Sequence, residues 1–161
     1  MLEDCDILEY MHRFLKLAFS YIEDNKYDTQ DYHLCAVIVR GGSVISVGFN
    51  KLNTNAFVEH YADLARGPRR GFCLSTHAEQ DAILKARNKV DLRGCKIFVA
   101  RRKRLDHSPG MARPCPVCEN ALANYGIRKA FYTINEHQCG KMVIGPNGDV
   151  HDVVSEITKR L

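Results

Sequence analysis

Three metal-binding side chains fall in two short strings: His77 in THAEQ (Thr76–Gln80), and Cys115 and Cys118 in RPCPVC (Arg113–Cys118). Imidazole nitrogen and thiolate sulfur are donors that zinc prefers. A Cys-x-x-Cys at a helix start suits the ion further, because the helix dipole and the free N–H groups there stabilise thiolates. Pro116 falls in the expected first turn, where its missing N–H costs nothing. Three protein ligands leave a tetrahedral zinc one open position, as in catalytic sites; a structural site is closed by a fourth ligand. Glu79 stands two residues from His77 and points around the helix from it. It therefore reads as an acid–base group beside the metal and not as a ligand. The combination predicts hydrolysis, with one catalytic zinc ion and Glu79 moving the proton.

Each string alone is a weak signal. Cys-x-x-Cys also marks redox motifs and zinc ribbons. The redox reading leaves His77 and Glu79 unused, and a ribbon needs a second Cys-x-x-Cys, which the sequence lacks. A catalytically silent zinc-binding domain has no use for Glu79. The remaining cysteines, Cys5, Cys35, Cys73, Cys95 and Cys139, bring the total to an odd seven. The start, MLEDCDILEYMHRF, is acidic and amphipathic and lacks the basic start and apolar middle of a secretory signal. Reduced thiols in an intracellular, cytoplasmic protein are the expectation. A second zinc built from Cys73, Cys95, His60 or Cys139 would have no compact ligand pair.

The elements that must carry these residues follow from periodicity. A chain of 161 residues is long enough for one domain with a real core. No apolar run approaches a membrane span, so no membrane partner is expected. Ile7, Leu8, Met11, Phe14, Leu15, Ala18, Tyr21 and Ile22 recur at helical spacing and predict an amphipathic helix over 3–24. His33–Arg40 and Val44–Phe49 are β-branched runs around Gly41-Gly42-Ser43, a hairpin. Asn50–Cys73 reads as a long, polar, Arg-containing loop. A helix follows, capped by Ser75 or Thr76, then a strand at Lys96–Ala100 and a basic loop over Arg101–Arg113. A helix over Cys115–Tyr125 and a strand over Lys129–Ile134 complete the core. In the tail, residues 135–161, a strand or hairpin is expected around Gly140–Val150 and a terminal helix over Val153–Leu161. Helices between strands imply crossovers joining parallel strands. The predicted fold is a single α/β domain over 1–161 with its core in 33–134. It is a three-layer α/β/α sandwich with a mixed five-stranded sheet.

With its motifs in this order, the chain resembles the cytidine deaminase superfamily, in the branch of deoxycytidylate, tRNA adenosine and polynucleotide cytosine deaminases. The blocks that carry the resemblance are AVIVRGGSVISVGFN (Ala36–Asn50), STHAEQDAI (Ser75–Ile83) and RPCPVCENALANYGIRKAFYT (Arg113–Thr133). His-x-Glu followed by Pro-Cys-x-x-Cys is the signature of zinc-dependent base deaminases. The resemblance implies attack at C4 of a cytosine, with Glu79 protonating N3 and then the leaving ammonia. It also implies that Asn50 contacts substrate, that the backbone at Ala78 holds the base carbonyl, and that the carbonyl of Arg113 accepts from the leaving amino group. Relatives commonly form oligomers, so a homo-oligomer is implied as well.

The chain departs from the family pattern in two places. About ten extra residues, Arg101–Met111, intervene before Pro-Cys, and the loop after Asn50 has no clear copy of the usual Gly-x-Pro nucleotide loop. Both places are basic. Arg66, Arg69 and Arg70 in the first, and Arg101 and Arg102 in the run Arg101–Arg104, are candidate phosphate-binding residues within a net charge of +4. Tyr61 and Phe72 are candidates for stacking on a base, weighed against simple core packing. The first expectation is deamination of a cytosine nucleoside or nucleotide, of the dCMP or deoxycytidine kind. The alternative is a cytosine deaminase acting on single-stranded DNA or RNA, with adenine or guanine deamination behind it.

Overall fold

The computed structural model describes residues 4–24, 33–53, 55–66, 75–157 and 161. The order of elements is α1 (Asp4–Asp24), β1 (Leu34–Arg40), β2 (Ser43–Phe49), α2 (Ala56–Arg66), α3 (Ala78–Ala86), β3 (Lys96–Arg102), β4 (Pro109–Gly110), α4 (Pro116–Asn124), β5 (Lys129–Thr133), β6 (Gln138–Ile144) and β7 (Val150–Glu156). The strands form one sheet in the order β2-β1-β3-β5-β6-β7, and β4 pairs with β3. Among the described strands β3 and β5 form the one parallel pair. Their connection passes through α4, as expected for a crossover.

Side chains alternate between the two faces of the sheet. Cys35, Val37 and Val39 of β1, Phe98 and Ala100 of β3 and Phe131 of β5 pack under Met11, Phe14, Leu15, Ala18 and Ile22 of α1. Ala36, Ile38, Ile97, Val99, Ala130 and Tyr132 point the other way, under α2, α3 and α4. Because both faces are covered, β1 and β3 read as unbroken apolar runs. The rings of Phe98 and Phe131 stack at 4.8 Å across the β3–β5 pair. The result is the predicted three-layer α/β/α sandwich around a mixed sheet. No helix among the described residues is long and apolar enough to cross a membrane.

Two glycine positions explain how β2 is placed. Gly41 and Gly42 both have positive φ, +53° and +83°. They form a two-residue turn whose twist suits the β1–β2 hairpin, with Arg40 facing Ser43. Gly48 lets α3 lie directly on β2: a methyl there would overlap the Ala78 carbonyl oxygen and Ala82 N, and would stand 2.8 Å from Ala82 Cα. Ser46 Oγ donates to Ala82 O at 2.8 Å on the same seam.

Four expectations need correction. Among the described residues the sheet has seven strands and not five, because the tail contributes both β6 and β7, paired along their whole length, and the stretch before Pro-Cys contributes β4. Val153–Glu156 therefore lies in a strand and not in a terminal helix; the β-branched pair Val153-Val154 favours that choice. The Asn50–Cys73 stretch holds α2, whose Phe57, Val58, Tyr61 and Ala62 are buried on one helical face. The Asn55 side chain starts it by accepting from Val58 N at 3.1 Å. Finally, the basic stretch before Pro-Cys is partly strand: β3 runs on to Arg102 and turns back through β4.

Candidate active site

Two helix starts meet at the site. His77 is the N-cap of α3, with extended backbone (φ −79°, ψ 158°), and Cys115 is the N-cap of α4 in the same conformation (φ −78°, ψ 168°). The cap is His77 and not the expected Ser75 or Thr76: the Gln80 side chain accepts from His77 N at 2.9 Å, and Thr76 Oγ1 donates instead to Asn53 O at 2.7 Å. Pro116 occupies the first helical position of α4.

His77 Nδ1 lies 3.5 Å from Cys115 Sγ and 3.4 Å from Cys118 Sγ. Zinc bonds of about 2.0–2.1 Å to nitrogen and 2.3 Å to sulfur, at a tetrahedral angle, separate the two donors by about 3.6 Å. The three side chains are thus spaced as a shared zinc requires. They form a group of metal-binding side chains among the described residues whose ligand atoms all lie within 4.8 Å of one another. The hydrogen bond with Cys118, followed by that with His77, lowers the Cys115 thiol to about 3. Cys118 is pushed up by that same bond and by its burial. Thiolate character beside an imidazole is what a soft divalent cation selects.

Glu79 is buried, 5% exposed, and still lines the cavity beside the metal ligands. Burial raises its carboxyl above the ordinary value. The cavity is roughly 290 Å³ and is lined by Leu34, Asn50, Ser75, His77, Glu79, Arg101, Met111, Ala112, Arg113 and Cys115. Residues from five parts of the chain therefore converge on one hollow at the helix starts. Residues 8–134 match the family described as the cytidine and deoxycytidylate deaminase zinc-binding region.

The chain belongs to this family.

As a zinc-binding deaminase-family protein it has a His/Cys/Cys group able to hold the ion, at His77, Cys115 and Cys118. No curated protein matches it by sequence. Among solved structures it is similar to a dCMP deaminase of the cyanophage S-TIM5 in complex with dCMP and dUMP, at 22% identity and a TM-score of 0.49 over 82% of this chain and 83% of that one. The apo form of that phage protein gives 23% identity and a TM-score of 0.47 over 77% and 82% of the two chains. A diaminohydroxyphosphoribosylaminopyrimidine deaminase/5-amino-6-(5-phosphoribosylamino)uracil reductase from Thermotoga maritima gives 22% identity and a TM-score of 0.41 over 76% of this chain and 29% of that one.

The remaining candidate residues of this deaminase-family chain divide clearly. Asn50 lines the cavity, and its Oδ1 accepts from the backbone of His33 at 3.1 Å and Leu34 at 3.0 Å. Those two bonds fix the amide by its oxygen. Ala78 is fully buried at the first turn of α3. Arg113 lines the cavity, but its guanidinium is committed elsewhere: it grips Asp152 of β7 with two bonds (3.0 and 2.8 Å) and reaches Glu119 of α4 at 2.7 Å. Tyr132 OH donates to the same Asp152 at 2.7 Å. Arg101 lines the cavity and is exposed. Arg102, its neighbour along β3, faces α1 and pairs with Glu23 at 3.0 Å, so it does not line the site. Arg66 ends α2 with its side chain outside the described residues, as are Arg69, Arg70, Phe72 and Cys73. Tyr61 is a core residue, packed on Phe57 at 4.8 Å and accepting from Asn124 at 2.7 Å. Cys95 and Cys139 lie on opposite faces of the sheet, so these two cannot share one ion.

Three further residues lie at or beside the cavity without having been singled out in the sequence. Met111 and Ala112 form a cavity wall because the end of β5 stitches that segment down: Thr133 Oγ1 donates to Gly110 O at 2.6 Å, and Ala112 N donates to Thr133 O at 2.9 Å. Asp81 is buried beside the site; its only sequence signal was the i,i+4 pairing with Lys85 on α3.

Proposed function

We propose that this protein hydrolytically deaminates a cytosine-type base in a nucleoside or nucleotide, of the dCMP or deoxycytidine kind, and releases ammonia. The observation that carries the reading is the buried Glu79 in the same hollow as the His77 and Cys115 donors. Zinc held by His77, Cys115 and Cys118 would lower the pKa of a water at its open position toward neutrality. Glu79 would take one proton from the attacking water and pass it to N3 of the base, then take the second from the hydroxyl left on C4 and deliver it to the amino group, which leaves as ammonia. Its burial excludes competing solvent from that transfer. The backbone at Ala78, at a helix N-terminus, is suited to hold the base carbonyl. The carbonyl of Arg113 is suited to accept from the leaving amino group, and the amide nitrogen of Asn50 to donate to substrate. Arg101 is the phosphate contact at the cavity wall, since a guanidinium presents a fork of donors to phosphate.

The test is an ammonia-release screen of nucleobases, nucleosides, monophosphates and single-stranded oligonucleotides. It begins with dCMP, and the Glu79→Ala protein is the blank. Turnover of a cytosine monophosphate by the native protein alone supports the reading. Rates equal to the blank on every substrate would overturn it.

One feature favours a second reading, a deaminase of single-stranded nucleic acid. The β3–β4 turn, which follows the cavity-lining Arg101 in the chain, carries exposed Lys103 and Arg104 and a Leu105 that is 99% exposed. A basic, apolar-tipped turn of this kind suits a strand running out of the site. Activity on the oligonucleotide but not the monophosphate, with affinity falling steeply as salt rises, would select it.

A further inference from the structure

The Asp81 carboxylate is 4% exposed, does not line the cavity, and accepts from three donors. Phe49 N donates at 3.0 Å, Lys51 Nζ at 2.7 Å, and Lys85 Nζ lies 2.7 Å away as its ion-pair partner. Lys85 Nζ also donates to Val47 O at 3.0 Å. Phe49 and Lys51 are the residues on either side of Asn50. Lys51 further pairs its backbone with Thr76, just before His77, through bonds of 2.9 and 3.0 Å. Asp81 thus ties both neighbours of Asn50 to the helix that begins with His77 and Glu79. An aspartate does this well, because two ammonium donors and one amide can share its two oxygens, and burial strengthens each bond.

We propose that Asp81 is a positioning residue that fixes Asn50 against Glu79. It clamps the end of β2 to α3 and so sets the span between the substrate contact and the proton-transfer group. The inference rests on the reading of Asn50 as a substrate contact. It predicts a loss in substrate binding with little loss in the chemical step, since Glu79 and the three metal ligands keep their own supports.

The experiment compares Asp81→Asn, Asn50→Ala and the double variant as zinc-loaded proteins, with dCMP as substrate and dUMP binding followed by calorimetry. Asp81→Asn should keep one zinc per chain and a kcat within about threefold, while KM and the dUMP Kd rise about tenfold or more. The double variant should be no weaker than Asn50→Ala alone, because both changes act through one contact. Additive losses, or a fall in kcat at unchanged KM, would overturn the proposal. Lys51→Met, at a half-exposed position, removes one arm of the clamp and covers the case in which Asp81→Asn does not fold. It should raise KM in the same direction, and an unchanged KM would overturn the proposal. Hydrogen exchange without nucleotide separates the clamp from the reading beneath it. In Asp81→Asn the amides of His33 and Leu34, which Asn50 holds, should exchange at least about tenfold faster while β5 amides stay protected. If they do so in a protein that turns over no nucleotide, the clamp stands and the substrate reading fails. Full protection in a protein that turns over dCMP normally overturns the clamp.

Discussion

Gly48→Ala tests how tightly the site depends on the seam between β2 and α3. The new methyl would overlap the Ala78 carbonyl oxygen and Ala82 N, and would meet Ala82 Cα at 2.8 Å. Carbon atoms pack at about 3.5–4.0 Å, so α3 must retreat by about 0.7 Å or more. These obstacles are backbone, so no side-chain rotation relieves them. Overpacking of this kind costs about 1–3 kcal/mol. For a domain of this size that is a fall in Tm of about 2–12 °C. The same retreat carries His77, Ala78 and Glu79 away from Asn50 and α4. A misplacement on the order of 1 Å at a catalytic group costs about 100-fold in rate. Thermal melts followed by circular dichroism, zinc content, and kcat/KM on the best substrate of the screen read the two effects separately. Gly42→Ala is the control: its methyl meets nothing within 4 Å, but its φ of +83° strains any other residue. It should lose about 1–2 kcal/mol of stability and no activity. A Gly48→Ala protein with native Tm would refute the packing argument. One with reduced Tm but native kcat/KM would refute the coupling of that seam to the site.

Three further outcomes are expected. His77→Ala should lower zinc from one per chain toward none and lower Tm, and a chelator should do the same to the native protein until zinc is restored; zinc retained at full occupancy in the variant would remove His77 from the ligand set. Arg101→Ala should raise KM for a nucleoside monophosphate about tenfold while leaving the matching nucleoside unchanged; equal effects on both would deny a phosphate contact. The third concerns acid. Burial pushes the Asp81 carboxyl up, but hydrogen bonds from Lys51, Lys85 and Phe49 N together outweigh it and leave it below the ordinary value of 3.8. A carboxylate lowered in the folded state contributes stability that is complete above the unfolded value and is lost as pH falls through the folded one. The gap in denaturant stability between the native protein and Asp81→Asn should therefore narrow as pH drops from about 5 to about 2; a gap that stays constant would contradict the ion pairs.

The His/Cys/Cys group able to hold a metal was legible because that chemistry restricts both residue type and spacing. His77, Cys115 and Cys118 needed no knowledge of the sheet to be grouped, and Pro116 marks the start of α4, whereas the start of α3 falls at His77 and not at the expected Ser75 or Thr76 cap. The strands β1 and β3 were legible because covering both sheet faces makes them apolar runs, and β2 because its β-branched residues follow β1 across the Gly41-Gly42 turn. What escaped reading obeys different physics. The helix α2 hides behind polar residues because, among its described side chains, Phe57, Val58, Tyr61 and Ala62 face inward while Glu59 and His60 between them are exposed. The strand β7 is an edge with one neighbour, so Val153 and Val154 stay more than half exposed and give no alternating pattern. Arg101 and Arg102 looked equivalent in the chain. Strand alternation sends one to the cavity and the other to Glu23, a distinction that appears only when β3 is known to extend through both. The bonds of Asp81 reach Phe49 and Lys51, some thirty positions away, which no local spacing encodes.

The grip of Arg113 on Asp152 bears on where this protein can be cut. The family match ends at residue 134, yet Asp152 lies beyond it and is bound to the arginine that precedes Pro114 and Cys115. The same carboxylate takes the Tyr132 hydroxyl, so one acid braces β5 and the metal loop together. A truncated protein designed to the family boundary would keep every metal donor and Glu79 but leave that arginine and that hydroxyl without their shared partner. A protein ending at residue 134 is therefore expected to melt lower than one that runs through Glu156, and equal melting temperatures for the two would show that the Asp152 brace carries no weight.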